Sequence, residues 1–238
     1  MFLDAPQEIE VIFNQVSAFN DGETVVATCH MGPSKPAPEV SWSILTHNGL
    51  ETATSLPLGA TSGLQCDPGV GCNSTISFVA SAELTGAIIR CTARNAKIDT
   101  EVATDRRLDV LFKPRTSNPS RCFSRFLVEF NAAHNLSEHC SFEANPPVDA
   151  TQTHVWLVSA TNANVKQRLS PESGYPAQQD GQRPPWEMIQ ITRRLDSIED
   201  LNFLDSFLVI TLQNSVGFSE FKVPVRINRM FFSIPPEP

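Results

Sequence analysis

Short apolar runs that alternate with polar residues recur along this chain, and that rhythm restricts its fold more than any other feature. In "TVVATCH", Val25, Ala27 and Cys29 face one way while Thr24, Val26, Thr28 and His30 face the other. "EVSWSI" puts Val40, Trp42 and Ile44 on one face, and "STISFV" offers Ile76 and Phe78. "AIIRCTA" offers Ala87, Ile89, Cys91 and Ala93, and "RLDVLF" aligns Leu108, Val110 and Phe112. A period of two is the geometry of a strand that buries alternate side chains. Helical periodicity is nearly absent, and Pro, Gly, Asn and Asp clusters separate the runs at the spacing of two stacked antiparallel sheets. The fold class that follows is all-β.

With 238 residues the chain has room for two medium domains, each burying its own core. The segment "KPRTSNPSR" (113–121) breaks the rhythm and reads as a junction. A second strand series follows in "FLVEF", "HCSFEA", "HVWLV", "WEMIQIT", "SFLVITLQN" and "SEFKVPVRI", with the Pro-rich surface loop "LSPESGYPAQQDGQRPP" between its third and fourth members. The expected division is a domain over 1–113, a second over 114–229, and a linker over 230–238 leading to a segment beyond the chain.

The net charge is −8, without a run of five like charges or a Lys/Arg cluster, which argues against nucleic acid or an anionic membrane as partner. No apolar stretch reaches eighteen residues, so no segment reads as a membrane-spanning helix. The opening "MFLDAPQEIEVIF" lacks the basic region, long apolar core and cleavage site of a signal peptide. No nucleophile-elbow, zinc-protease, phosphate-loop or dinucleotide pattern is present. The six cysteines and five histidines do not fall at metal-ligand spacing. His134, His139 and His154 read as surface or strand residues, and the acidic stretch Ser197–Asp205 as a turn. No enzyme activity, cofactor, metal or small-molecule substrate is expected.

Cys66 and Cys72 bracket "DPGVG", a Pro/Gly loop that permits the close approach of a local disulfide. Asn73 and Asn135 open glycosylation sequons, whereas the one at Asn118 is blocked by Pro119. Sequons beside cysteines and between strands point to an extracellular chain, a piece of a longer ectodomain whose signal and anchor lie outside it.

Cys29, Trp42 and Cys91, with the run "CTARN" from Cys91 to Asn95, form a framework that resembles the immunoglobulin fold. "CHMGPSKPAPEVSW" and "RRLDVLFKP" resemble the C2- or I-type domains of nectin-like and nephrin-like cell-adhesion proteins. The resemblance implies two tandem immunoglobulin-like sandwiches. It implies a Cys29–Cys91 disulfide across the first core, closing a loop of about sixty residues and stabilising by about 4 kcal/mol. Trp42 would pack its indole against that bridge. Ile89 stands where the family usually has a tyrosine, so the corner hydroxyl bond of that tyrosine is lost.

For the second domain the resemblance implies Cys140 on the second strand, Trp156 on the third as a core residue, and "QNSVGFSEFKVPVRI" as the final hairpin. Ile210 then occupies the slot of the missing cysteine. With "FLVEF" and "HCSFEA" paired as a hairpin turning near residue 131, Cys122 falls opposite Cys140. We expect these two to bond and Ile210 to fill the vacated volume by aliphatic packing. Two free buried thiols are the other reading.

Tandem domains of this kind imply a cell-surface adhesion or recognition module at the extracellular face of the plasma membrane, as part of a single-pass protein, with secretion as the alternative. Its partner would be another cell-surface protein, in particular a second member of the superfamily, met homophilically or heterophilically. The candidate interface is the outward face of the first domain's Cys91-bearing sheet, with Ser41, Ser43, Arg90, Thr92 and Arg94. The competing reading is a spacer within a longer ectodomain. A contiguous, glycan-free patch with exposed apolar or aromatic residues separates the first from the second.

Overall fold

The computed structural model describes residues 8–45, 61–67, 69–95, 97, 99–116, 126–129, 135–162, 164, 166–169, 186–194 and 205–228. Cys122, residues 197–204 of the acidic stretch Ser197–Asp205, and the tail 230–238 lie outside the described residues, and Asp205 opens a strand. The chain divides into two compact units, Met1–Phe112 and Lys113–Pro238.

The first unit contains β1 (Ile9–Phe13), β2 (Phe19–Asn20), β3 (Thr24–Met31), β4 (Glu39–Leu45), β5 (Thr61–Asp67), β6 (Gly71–Val79), β7 (Ile88–Asn95) and β8 (Thr100–Arg107), and the start of β9 (Val110–Thr116). One antiparallel sheet has the order β1-β3-β6-β5 and the other β4-β7-β8. Residues 19–20 of β2 pair in parallel with Val110 and Leu111 of β9. The period-two rhythm is realised as burial, with Val25, Ala27, Cys29 and Met31 of β3 inside and their neighbours half-buried or exposed. Cys29 and Cys91 are fully buried and bonded, with Cα atoms 6.4 Å apart. Trp42 is half-buried against the same cluster, lies opposite Cys91 in register, and donates its indole N–H to the buried Ser74 hydroxyl at 3.0 Å.

The corner without the tyrosine holds a threonine hydroxyl that makes two backbone bonds of its own. Thr85 Oγ1 donates to the Val110 carbonyl at 2.6 Å and accepts from the Val110 N–H at 2.9 Å. Both bonds tie the corner between β6 and β7 to the start of β9. Cys66 and Cys72 face each other in register across β5 and β6 and are bonded. At the tip of that hairpin Gly71 has φ 146°, and a Cβ there would run into the Met31 carbonyl oxygen. No other residue type fits that approach.

The second unit contains the end of β9, then β10 (Phe126–Glu129), β11 (Asn135–Asn145), β12 (His154–Ser159), β13 (Lys166–Leu169), β14 (Trp186–Arg194), β15 (Asp205–Asn214) and β16 (Gly217–Asn228). One sheet has the order β10-β16-β15-β12-β13, and in the other β11 lies between β14 and β9. Both units are immunoglobulin-like β-sandwiches.

"FLVE" does not form a hairpin with β11, because β10 pairs in parallel with Val225–Asn228 of β16 in the opposite sheet. β11 lies instead between β14 and β9, and β9 runs on to Thr116, into the 113–121 segment at whose start the two units divide. β16 is twelve residues long, so its last residues offer a second edge of backbone donors and acceptors, and β10 satisfies it. Without that hairpin the expected approach of Cys122 to Cys140 loses its support; Cys122 lies outside the described residues, and Cys140 pairs in register with Ile189 of the Trp186–Arg194 strand β14.

Trp156 is not the core residue that the resemblance implied. The core residues of β12 are Val155 and Leu157, so Trp156 is on the outward face. In the first unit Trp42 stands opposite Cys91, whereas in the second Val155 stands opposite Ile210. The valine therefore occupies the tryptophan's structural position, one residue before the tryptophan itself. Ile210 is fully buried, as are Phe142, Leu208, Leu212 and Val223. Phe142 and Phe221 meet with ring centroids 4.8 Å apart.

Both units share an asparagine lock four residues after the cysteine slot. Asn95 donates through Nδ2 to the Lys35 carbonyl at 3.2 Å and accepts the Lys97 N–H at 3.1 Å. Asn214 donates to the Pro146 carbonyl at 2.8 Å and accepts the Val216 and Gly217 N–H groups at 3.0 and 3.1 Å. Each ties the last hairpin to the segment before the third core strand. Both asparagines are buried, so truncation leaves backbone groups without partners. Asn214→Ala is expected to lower the stability of the second unit by about 2 kcal/mol. Denaturant unfolding of the variant beside the parent checks this.

Candidate functional site

The outward face of β4, β7 and β8 brings Ser41, Ser43, Arg90, Thr92 and Arg94 together. Register places Glu39–Arg94–Glu101, Ser41–Thr92–Ala103 and Ser43–Arg90–Asp105 in successive rows across the three strands. The rows are small or charged, and the charges compensate one another. Arg90 grips Asp105 with two parallel bonds, Nε to Oδ1 at 2.7 Å and Nη2 to Oδ2 at 2.8 Å. Arg94 donates to Asp99 at 2.8 Å. This is a solvated, internally satisfied sheet surface with no apolar anchor in these rows.

The Arg90 hydrogen bonds, outweighing some desolvation, hold the Asp105 carboxyl below its ordinary value of 3.8. A depressed carboxylate contributes stability above its unfolded pKa and loses it as pH falls through the lower folded value. Both side chains are more than a third exposed, at 34% and 41%, so screening keeps the contribution small. Arg90→Ser is expected to cost less than about 1 kcal/mol at neutral pH. It should also flatten the acid limb of the first unit's stability below pH 3.8, as urea midpoints across that range would show.

The corresponding sheet of the second unit has a different outward face. Burial of Val155 and Leu157 turns His154, Trp156 and Val158 outward from β12; burial of Leu208, Ile210 and Leu212 turns out Phe207, Val209 and Thr211 from β15. Register then assembles the row Arg168–Trp156–Val209–Lys222 and, beside it, Lys166–Val158–Phe207–Pro224. The centre is a block of two aromatic and two aliphatic side chains, extended by Pro224. Its edges are cationic: Lys166 and Arg168 on β13, and Lys222 on β16.

The cations are held in place. Lys166 Nζ lies 5.2 Å from the Trp156 ring centroid, a cation–π contact that presents the charge above the indole. Arg168 Nη2 and His154 Nδ1 are 3.1 Å apart, and Lys222 reaches Glu220 at 3.6 Å. Phe207 is 39% exposed, and Phe218, opposite Gln213 further along the same face, is 64% exposed. Apolar centre, aromatic anchors and polar rim are the composition of a protein-binding patch.

The sequons sit elsewhere. Asn73 is on strand β6 rather than in a loop; it is exposed between His30 and Gln65 in register, and its Oδ1 lies 2.7 Å from His30 Nδ1. Asn135 is the first residue of β11, paired with Arg194, and not part of a hairpin turn. Neither belongs to the five strands that carry the apolar block.

No protein-family model and no curated protein matches the chain. Solved structures similar to it include a tandem of immunoglobulin domains from titin, 14% identical over 92% of this chain and 96% of that one, with TM-score 0.48. The full three-domain ectodomain of mouse nectin-like molecule 4 is 17% identical over 95% of this chain and 67% of its own, with TM-score 0.46. The N-terminal eight immunoglobulin domains of Down syndrome cell adhesion molecule are 15% identical over 92% and 28%, with TM-score 0.32. The strand orders and registers of both units, and the Cys29–Cys91 bond of the first, carry the immunoglobulin-like fold. Among the described residues no helix is long and apolar enough to cross a membrane.

Proposed function

We propose that the chain is an extracellular recognition module that binds another cell-surface protein through the outward face of β12, β15 and β16. The observation that carries this reading is the apolar block of Trp156, Val158, Phe207 and Val209, set in a sheet with no sequon on any of its strands. A spacer has no use for two half-exposed aromatics in adjacent rows of one face, and soluble domains normally keep such positions polar. The two disulfides fit an oxidising, extracellular setting at the cell surface. The first unit's face, with its compensated arginines, fits a solvated surface better than an anchor.

A display screen of cell-surface ectodomains tests the reading, run with the parent and with Phe207→Asp. The expected result is at least one binder whose affinity falls about tenfold or more in the variant, since a buried carboxylate at an interface centre costs several kcal/mol. Retained binding in Phe207→Asp would move the interface elsewhere, and a screen with no binder would favour the spacer.

A further inference from the structure

The apolar block is rimmed by cations in a chain that is otherwise acidic. Six basic against thirteen acidic residues in 1–112 leave −7, and twelve against thirteen in 113–238 leave −1, together the −8 of the chain. Against that background Lys166, Arg168 and Lys222 stand on both sides of one block two rows deep. Among the described side chains of this face the one carboxylate is Glu220, and it touches Lys222 alone of the three. Lys166 rests on an aromatic ring and Arg168 on an imidazole, so neither of those contacts neutralises a charge.

We infer that the surface is built for an acidic protein segment that carries an apolar anchor. The inference rests on the proposed recognition face and names the chemistry of its occupant. A strip of apolar side chains about 5 Å per strand in width accepts an aliphatic or aromatic side chain, while carboxylates beside that anchor meet cations on either flank. The flanking charges steer encounter and select against basic partners, and the block supplies contact area. A sulfated glycan matches the cations but gains little from Val158, Phe207 and Val209, so the protein occupant uses more of what the face presents.

The test is fluorescence-anisotropy titration of the full chain with three labelled octapeptides: alternating Glu with Phe or Leu, the same peptide with Lys for Glu, and alternating Glu with Ser. Heparin is titrated in a fourth arm. The Glu/apolar peptide is expected to bind at least about tenfold tighter than either other peptide, and to weaken severalfold between low and physiological salt. Lys166→Glu with Lys222→Glu should abolish the preference for Glu over Lys, and the milder Lys166→Gln should reduce it. Phe207→Ser should weaken the Glu/apolar peptide without changing the sign preference.

Equal binding of the Glu and Lys peptides, both weakened by Phe207→Ser, overturns the acidic partner and leaves the recognition face standing. Peptide binding that ignores Phe207→Ser as well as the charge reversals overturns both. Heparin binding lost on charge reversal, with no binding of the Glu/apolar peptide, overturns the protein occupant in favour of a glycan.

Discussion

Replacing Cys29 and Cys91 together by alanine is expected to cost the first unit about 4 kcal/mol, a large share of the roughly 5–15 kcal/mol typical of a folded domain. The bond joins residues 62 apart in sequence and ties β3 in one sheet to β7 in the other. Without it the unfolded chain regains the loop entropy of that long closure. Both sulfurs are fully buried, so their loss also removes contacts beside Ile76, Ile89 and Trp42. The Cys66–Cys72 bond closes only six residues within one hairpin, and its removal should cost about 2 kcal/mol on the same account. Guanidinium unfolding with hydrogen exchange read separately on β3, β7 and the second unit's strands measures the difference. A loss under about 1 kcal/mol for the double variant would show that packing alone holds the two sheets.

The second unit poses the converse case. Ile210→Ala should destabilise it by about 3 kcal/mol, and Ile210→Val by about 1 kcal/mol. Ile210 fills the slot that Cys91 fills in the first unit and is fully buried opposite Val155. Its neighbours along the strand, Leu208 and Leu212, are also buried, and Phe142 with Phe221 adds an aromatic pair to the same core. A side chain so enclosed leaves a cavity on truncation, because backbone ladders on both sides of β15 prevent collapse. The graded series separates cavity cost from general surface effects. A flat response across Val and Ala, read from denaturant midpoints of the second unit, would mean that the core does not close around this position.

Much of the first unit was legible in its alternating strands, because each has one apolar and one polar face and the phase is unambiguous. The β15–β16 hairpin of the second unit was legible for a local reason too: the Asn214 side chain accepts the backbone N–H groups of residues 216 and 217, which fixes the turn. What failed was the phase of β12. "HVWLV" is nearly apolar throughout, so period two allows either Trp156 or its neighbours to face inward, and the family pattern favoured the tryptophan. Register with Ile210 decides for Val155. One signal was nonetheless present: "HVWLV" and "FLVI" are apolar on both faces, unlike the apolar-in, polar-out alternation common in antiparallel sheets. The parallel pairing of β10 with β16 joins segments about a hundred residues apart and leaves no local trace. Nor does sequence show that Arg90 and Arg94 are already engaged by Asp105 and Asp99. Those two side chains drew the candidate interface to the first unit, and their ion pairs weaken the case for it.

Hydrogen–deuterium exchange on the chain with and without a bound ectodomain partner distinguishes the proposed recognition face of the second unit from the first unit's sheet. Slowed exchange is expected in β12, β15 and β16, with little change in β4, β7 and β8. Protection confined to β4, β7 and β8, with the second unit unchanged, would overturn the proposed face.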